Sequence, residues 1–401
     1  MMITKLAKQT KHISAAITAV GFLVITVTVG VLTVTKNHTA LLNPSPDTES
    51  GEIPSFKSRA TEAFDDDIVG FDAFLSVYGL TQRLLGTSVY EDAGYTYLIR
   101  DSGDFLHYHT VAADAQPYAD AVIALKNTLG DAGIPFLYLQ APTKEIADYT
   151  DYPPGISYYS TQNASAMYDA LTAGGVDVLS FAELFARDGI DPASQFYYTD
   201  HHWTTETAFT AFGYVVPYLN ETRGWSLDTR LCDLTSWTSL SQPQSFLGSI
   251  GRRLGAELSG LDDYTFYEPA FPTDYRVYYP PHSTEEPYWT GTFHDTLVRD
   301  SLLYAEDVAA NRYAVYFQYD YGELIIENLS AGNDLHIAII KDSFALPFTA
   351  FLSTAVGNID MIDLREFEGS VTQHLLDTQP DLVLMLYSGG SFNAAMYQFE
   401  E

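Results

Sequence analysis

At 401 residues the chain has room for one large domain or two modest ones. Its residues are 46% hydrophobic and 14% aromatic, with 29 Tyr and 23 Phe, which excludes wholesale disorder. The 20 Lys and Arg stand against 52 Asp and Glu, a net charge of -32 that repels polyphosphates and argues against a nucleic-acid partner. The single cysteine, Cys232, excludes a disulfide framework and a cysteine-rich zinc site.

The first element is apolar. Ile13 to Val34 runs 22 residues without a charge. At about 1.5 Å per residue that spans a hydrocarbon core of about 30 Å. Lys5, Lys8 and Lys11 precede it and no acidic residue occurs before Asp47, so the positive-inside rule keeps the N-terminus cytoplasmic and exports the rest. A cleaved signal peptide is the rival reading, but its apolar stretch would be shorter and would end in a small-residue cleavage site that this sequence lacks. The expectation is therefore a cytoplasmic tail over 1–12, an uncleaved anchor over 13–35 and a single-pass protein of the cell membrane. The exported part carries 16 basic against 52 acidic residues, a net of -36. Residues 36–68, with Asn43-Pro44-Ser45-Pro46 and the acidic run Asp65 to Asp67, read as a juxtamembrane linker, so the extracellular domain is expected over 69–401.

Within that domain, apolar residues at Tyr118, Val122, Leu125 and Leu129 follow helical spacing up to the stop signals Gly130 and Gly133. Phe136 to Leu139 reads as a strand, about 164–173 as a helix closed by Gly174-Gly175, and Val176 to Leu179 as a second strand. The rhythm returns at the C-terminus. His336 to Ile340, Ile359 to Ile362 and Leu382 to Tyr387 read as strands, separated by helices near 347–355 and 371–376. Short apolar strands alternating with helices imply a mostly parallel sheet with helices on both faces. The Tyr-, Pro- and Gly-rich stretch of about 225–330 reads as a β and loop insertion.

In open α/β sheets the chemistry lies beyond the carboxyl ends of the strands, and two segments stand at such ends. In IIKDSFALPF, Ser343 falls on a strand-to-helix turn whose backbone N–H groups and positive helix end can stabilise an oxyanion. The alternative is that Asp342 or Ser343 only caps the helix. In YYTDHHWTTETAF, Asp200, His201, His202 and Trp203 precede a helix opened by Thr204 or Thr205. An Asp two residues before a His can orient an imidazole that takes a serine proton. A capping Asp200 with packed histidines is the alternative there. A metal held by Asp200, His201 and His202 is disfavoured, since adjacent side chains of an extended segment point apart.

A D-x-H followed by Trp, with a D-S-F at a strand end well over a hundred residues later, resembles the DHHW proteins and the alginate O-acetyltransferase group. Also similar are APTKE (141–145), SFLGSIGRRLG (245–255), RYAVYF (312–317), LIIEN (324–328), IDLRE (362–366) and DLVLMLYSGGSF near the end, so the resemblance covers about residues 100–395. It implies an SGNH-hydrolase-like, flavodoxin-like α/β fold with the Asp-His pair ahead of the serine. It makes Ser343 the nucleophile, His202 the general base and Asp200 its orienting carboxylate. Arg365, Lys144, Asp342 and Trp203 become candidates for substrate binding or the oxyanion site. For Arg365 a surface pair with Glu366 or Glu368 is an equal reading, and for Lys144 a solvated loop lysine is the bland one. Two departures from the family pattern stand out: Lys341 where SGNH proteins usually carry Gly, and Ser388 where Asn is expected.

The function implied is a membrane-anchored extracellular O-acetyltransferase. It would act on a cell-surface or exported polysaccharide through an acyl-enzyme, with no cofactor and with acetyl delivered by a membrane-bound O-acyltransferase partner. A carbohydrate esterase using the same three residues, and a non-catalytic glycan-binding or assembly protein, remain open as alternatives.

Overall fold

The structure is a computed structural model, and it describes residues 20–42, 55–65, 68–390 and 392–400. The chain divides into two compact units, residues 1–82 and 83–401. In the first unit the described part of the apolar stretch is helical over 20–36, with Phe22, Leu23, Val24 and Val31 exposed. The expected tail over 1–12 and the start of the expected anchor, 13–19, lie outside the described residues. Among the described residues no helix is long and apolar enough to cross a membrane. The segment read as a linker carries two helices, His38–Leu42 and Phe56–Asp65, while its Asn-Pro-Ser-Pro run lies outside the described residues.

The second unit is built on a sheet. Its strands are, in chain order, β1 (Val89–Asp92), β2 (Thr96–Arg100), β3 (Leu106–Tyr108), β4 (Phe136–Ala141), β5 (Val178–Ser180), β6 (Trp237–Phe246), β7 (Asp262–Pro269), β8 (Tyr275–Tyr278), β9 (Trp289–Gly291), β10 (Glu323–Asn328), β11 (His336–Lys341), β12 (Asn358–Ile362) and β13 (Leu382–Ser388). The main sheet has eight strands in the order β5-β4-β13-β11-β12-β10-β8-β9. Pairings from β5 to β12 are all parallel, and β12 to β9 continue antiparallel. The sheet is thus mostly parallel, as the alternating rhythm requires.

Helices α1 (Gln116–Asp131), α2 (Ser160–Ala173), α3 (Phe181–Asp188), α4 (Thr205–Arg223), α5 (Ala345–Leu352) and α6 (Val371–Thr378) cover both faces. Side-chain alternation along the strands sorts them. Leu137, Leu139, Ile337, Ile339, Leu384 and Leu386 join the core packed by α3, α4 and α5. Tyr138, Ala338, Ile340, Val383 and Met385 join the core under α1, α2 and α6. Strands buried on both faces have no polar side, which is why β4 and β13 read as continuous apolar runs.

The region read as an insertion is more integrated than its composition suggests. Its strands β8 and β9 extend the main sheet through β10. The β6–β7 pair adds Trp237, Phe246, Tyr264 and Phe266 to the α4-side core. Aromatic residues can fill a core as fully as aliphatic ones, so Tyr-rich composition was a poor sign of loops here. The small antiparallel sheet β1-β2-β3 packs on Ile250, Leu254 and Leu258.

Leu384, fully buried in the central strand β13, tests this core. Leu384→Ala is expected to lower the free energy of unfolding by about 2–5 kcal/mol through the cavity it leaves, read as an earlier urea midpoint with an unchanged far-UV circular dichroism spectrum.

Candidate active site

The parallel strands run outward in two directions from a switch point. The chain goes from β4 to β5 on one side and from β11 to β12 on the other, and then β13 returns between β4 and β11. The carboxyl ends of β4, β11 and β13 therefore surround one crevice, where such sheets bind ligands. A cavity of about 310 Å³ lies there. Its walls come from Thr143 and Lys144 after β4, Phe344 after β11, Gly389 and Gly390 after β13, and Tyr108 of the small sheet.

Ser343 sits one residue past Asp342, on the turn between β11 and α5. Asp342 braces this turn. Its Oδ1 accepts from Phe344 N at 2.9 Å and its Oδ2 from Ser388 N at 2.7 Å. Burial pushes the Asp342 carboxyl up, against the pull of those two amides. Both oxygens are engaged as acceptors, so Asp342 is not an oxyanion donor as the sequence reading allowed; it ties the serine turn to the end of β13. The Phe344 carbonyl is held from the other side by Trp203 Nε1 at 3.0 Å and Tyr313 Oη at 3.1 Å. Trp203 is fully buried, so its indole positions the same turn from within the core and cannot meet substrate as that reading also allowed. The Ser343 N–H makes no hydrogen bond among the described residues.

The Asp-His segment folds back on itself. Phe196 bridges Trp203, and Thr204, whose side chain accepts from Thr207 N, caps α4. Asp262, at the start of β7, accepts from Tyr198 N, Thr199 N and Thr199 Oγ1. From the other side, Lys144 Nζ donates to the carbonyls of Tyr198 at 3.0 Å and Asp200 at 2.6 Å. Lys144 is thus no solvated loop residue: it lines the cavity and braces this loop, and burial pulls its ammonium down to about 8. Gly248 lies so close that a Cβ there would collide with Asp200. The absence of a side chain lets Ser249 N donate to Asp200 Oδ2 at 2.6 Å.

These contacts align three side chains. His202 Nδ1 lies 2.6 Å from Asp200 Oδ1, and His202 Nε2 lies 2.7 Å from Ser343 Oγ. Burial would raise the Asp200 carboxyl, but His202, His201 and the Ser249 amide outweigh it and hold the group well below the usual carboxylate range. An ionised carboxylate only accepts, so Nδ1 carries the imidazole proton and Nε2 presents its lone pair to the Ser343 hydroxyl. Tyr313 stacks on the ring at 3.8 Å and 8° between planes, fixing its orientation. Asp200 is 1% exposed, whereas Ser343 is part-exposed at the turn.

The two histidines do not point apart as expected of an extended segment. His202 N donates to Asp200 Oδ1, closing a tight turn, and the two rings lie 3.8 Å apart. Ligand atoms of Asp200, His201 and His202 fall within 4.8 Å of one another. All three are already hydrogen-bonded, His201 through Nδ1 to Ser249 Oγ at 2.7 Å. Burial first, and then His202, push His201 down to about 3, so it is neutral.

Arg365 is not among the cavity's lining residues. Neither Glu366 nor Glu368 is its partner; the guanidinium binds Asp363 through two nitrogens and reaches Asp320 at 3.1 Å. Fully buried Lys341 donates to the same two carboxylates. The lysine at the usual glycine position therefore leaves the serine turn intact and completes a four-charge cluster behind it, in which Lys341 and Asp363 are buried and Asp320 and Arg365 reach solvent. Ser388 lines the cavity and gives its backbone N–H to Asp342. Asp262, Gly248, Ser249 and Tyr313 escaped the sequence reading as individuals. Two of the segments that carried the resemblance, 245–255 and 312–317, contain three of them.

Residues 101–255 match the family model described as SGNH hydrolase-like domain, acetyltransferase AlgX. That span contains Asp200 and His202 and ends before Ser343. No curated protein matches the chain in sequence. Among solved structures, Bacillus cereus PatB1 with a sulfonyl adduct is similar with a TM-score of 0.62, at 20% identity over 78% of this chain and 99% of that one. A DHHW family protein from Eubacterium siraeum is similar with a TM-score of 0.57, at 15% identity over 78% and 98%. These likenesses show a shared SGNH-like α/β fold.

Two measurements test this arrangement. Lys341→Met leaves Asp363 buried with Arg365 as its remaining cation and is expected to lower stability in urea denaturation, by less than the roughly 3–5 kcal/mol that an uncompensated buried charge costs. The second concerns His107, buried in the cavity wall 2.9 Å from Asp101 Oδ2; burial pulls it down to about 4, with Asp101 opposing. Between about 4 and 6.5 the unfolded chain binds this proton and the folded chain does not, so stability falls as pH drops through that window, by about 3 kcal/mol for this group. His107→Gln is expected to flatten the dependence of unfolding free energy on pH over that range.

Proposed function

We propose that this SGNH-like acyltransfer enzyme is an O-acetyltransferase that modifies an exported or cell-surface polysaccharide through an acyl-enzyme on Ser343. The observation that carries the reading is the unbroken chain from Ser343 Oγ to His202 Nε2 to Asp200, at 2.7 and 2.6 Å, beside a cavity at the switch point of the sheet. The match of 101–255 to an acetyltransferase domain supports the choice of reaction.

His202 Nε2 takes the Ser343 proton as Oγ attacks the acetyl carbonyl. The oxyanion forms beside the free Ser343 N–H in the first turn before α5, where the helix dipole favours negative charge. The tetrahedral intermediate collapses, the leaving group departs with the proton from His202, and an acetyl ester remains on Oγ. A carbohydrate hydroxyl then gives its proton to the same imidazole as its oxygen attacks the acetyl ester, and Ser343 Oγ leaves with the proton from His202, which frees the acetylated sugar and restores the serine. Ionised Asp200 stabilises the imidazolium in both steps.

In this reading residues 13–35 anchor the chain with its N-terminus in the cytoplasm and the catalytic unit on the extracellular face. The three preceding lysines and the exposed apolar side chains of the 20–36 helix support it. Acetyl-CoA is cytoplasmic, so an outward-facing site needs acetyl carried across the bilayer, the task of a membrane-bound O-acyltransferase partner.

The test is p-nitrophenyl acetate turnover by the purified full-length chain with and without an oligosaccharide acceptor. Ser343→Ala and His202→Ala are each expected to lower the rate by at least about 10³-fold. Acetylated sugar should replace free acetate once acceptor is added, and a sulfonyl fluoride should label the wild type and not Ser343→Ala. Acetate release unaffected by acceptor would make the protein an esterase. A wild type no faster than Ser343→Ala would leave a glycan-binding protein.

A further inference from the structure

A second cluster of ligand-bearing side chains lies on the other face of the sheet, under α6. Glu323 opens β10, Asp360 lies within β12 and His374 stands on α6. Ile325 pairs with Asp360 across the antiparallel ladder, which sets Glu323 diagonally beside Asp360. Leu324, Ile326, Ile359 and Met361 all join the core on the α4 side, so alternation turns Glu323 and Asp360 together toward α6. There His374 Nε2 lies 2.6 Å from Asp360 Oδ2 and 3.4 Å from Glu323 Oε1. One ligand atom from each of the three falls within 4.8 Å of the others.

The cluster is short of positive charge. Asp360 is 2% exposed, and its Oδ1 is buried with no hydrogen-bond partner among the described residues. A buried carboxylate oxygen left bare costs more than one that is bonded. Among the described residues no Lys or Arg pairs with Glu323 or Asp360, and the His374 imidazole is the one group paired with both, while burial first, and then Asp360, push the Glu323 carboxyl up to about 7. We infer that Glu323, Asp360 and His374 form a binding site for a divalent transition-metal ion of the zinc class, unconnected with the serine site. The donor set of one imidazole and two carboxylates suits such an ion better than a soft one, which would ask for thiolates. His336 of β11 lies on the same face, since Ala338 pairs with Asp360 and His336 precedes it by two residues; it is the fourth donor to test. A bound ion would clip α6 to the junction where the sheet turns from parallel to antiparallel, so binding would stabilise the fold.

The experiment titrates ZnCl2 into the EDTA-treated full-length chain by calorimetry, with excess Mg2+ to occupy the acidic surface, and follows the melting temperature and the visible spectrum of the Co2+ form. Expected are one tight ion per chain, a higher melting temperature, and a Co2+ spectrum that changes in His374→Ala. Asp360→Asn and His374→Ala should each weaken Zn2+ by at least about 100-fold, the upper end of what loss of an outer partner costs. His201→Ala should leave Zn2+ affinity unchanged. Wild type that binds Zn2+ no more tightly than Asp360→Asn and His374→Ala would overturn the inference. So would loss of binding in His201→Ala, which would move the ion to the Asp200 segment. His374→Ala, on a helix at the sheet surface, keeps the test valid if Asp360→Asn disturbs the strand.

Discussion

The site depends on keeping one carboxylate charged in a place where water does not reach it. Asp200 is almost wholly buried, and burial raises its carboxyl. His202, His201 and the Ser249 amide outweigh this, and the carboxylate accepts from three N–H groups: the His202 imidazole, the His202 amide and the Ser249 amide. Each has a structural requirement of its own. The His202 amide reaches Asp200 only because the chain turns sharply there, and the Ser249 amide only because residue 248 has no side chain to hold the two segments apart. Lys144 and Asp262 then hold the turn from opposite sides, one through carbonyls and the other through N–H groups. A neutral Asp200 would lose its claim on the Nδ1 proton, and with it the tautomer that leaves Nε2 free for the serine.

The architecture explains why such distant residues meet. The stretch between His202 and Ser343, which are 141 residues apart in sequence, holds the β6–β7 pair, the antiparallel extension of the main sheet and the strand that delivers Ser343. That stretch is no detachable decoration. Its Gly248 and Ser249 complete the Asp200 shell, and its Tyr313 both stacks on His202 and bonds the carbonyl next to Ser343. The Phe344 carbonyl, shared by Trp203 and Tyr313, is where the histidine loop and the serine turn are locked in register. Hydrogen-bond distances of this kind need support on every side to hold within about 0.5 Å.

How legible this was in sequence depended on whether the signal was local. The parallel strands declared themselves through unbroken apolar runs such as Leu382 to Tyr387, and α1 through its spacing up to Gly130; both ends fell within two residues of the observed ones. The strand pairings of the insertion were not legible, because a Tyr that fills a core and a Tyr that lies on a loop look alike in composition. Ser343, His202 and Asp200 were found through the resemblance and through the chemistry of their neighbours. Asp342 and Trp203 were misread for a common reason. Each borders Ser343 or His202 in sequence, and sequence adjacency says nothing about which way a side chain points. Asp342 points toward the end of β13 and Trp203 into the core, and both act on Ser343 only through the backbone of the turn.

Lys341 carries the last step. A glycine before a nucleophile turn lets the backbone adopt whatever shape the turn requires, whereas a lysine there must find room for a charged chain. In this protein the room is behind the turn, between Asp320 and Asp363, with Arg365 closing the group. Two cations face two carboxylates, so the cluster adds no net charge beside the site. The pairing also explains why Arg365 is not free to meet an acyl group: withdrawing it would leave Asp363, itself fully buried, with Lys341 as its only cationic partner. An ion cluster of this sort contributes little net stability compared with apolar packing, but it penalises any other placement of its members. The substitution at 341 thus exchanges the flexibility of a glycine for a fixed end to β11, one residue before the brace that positions the serine.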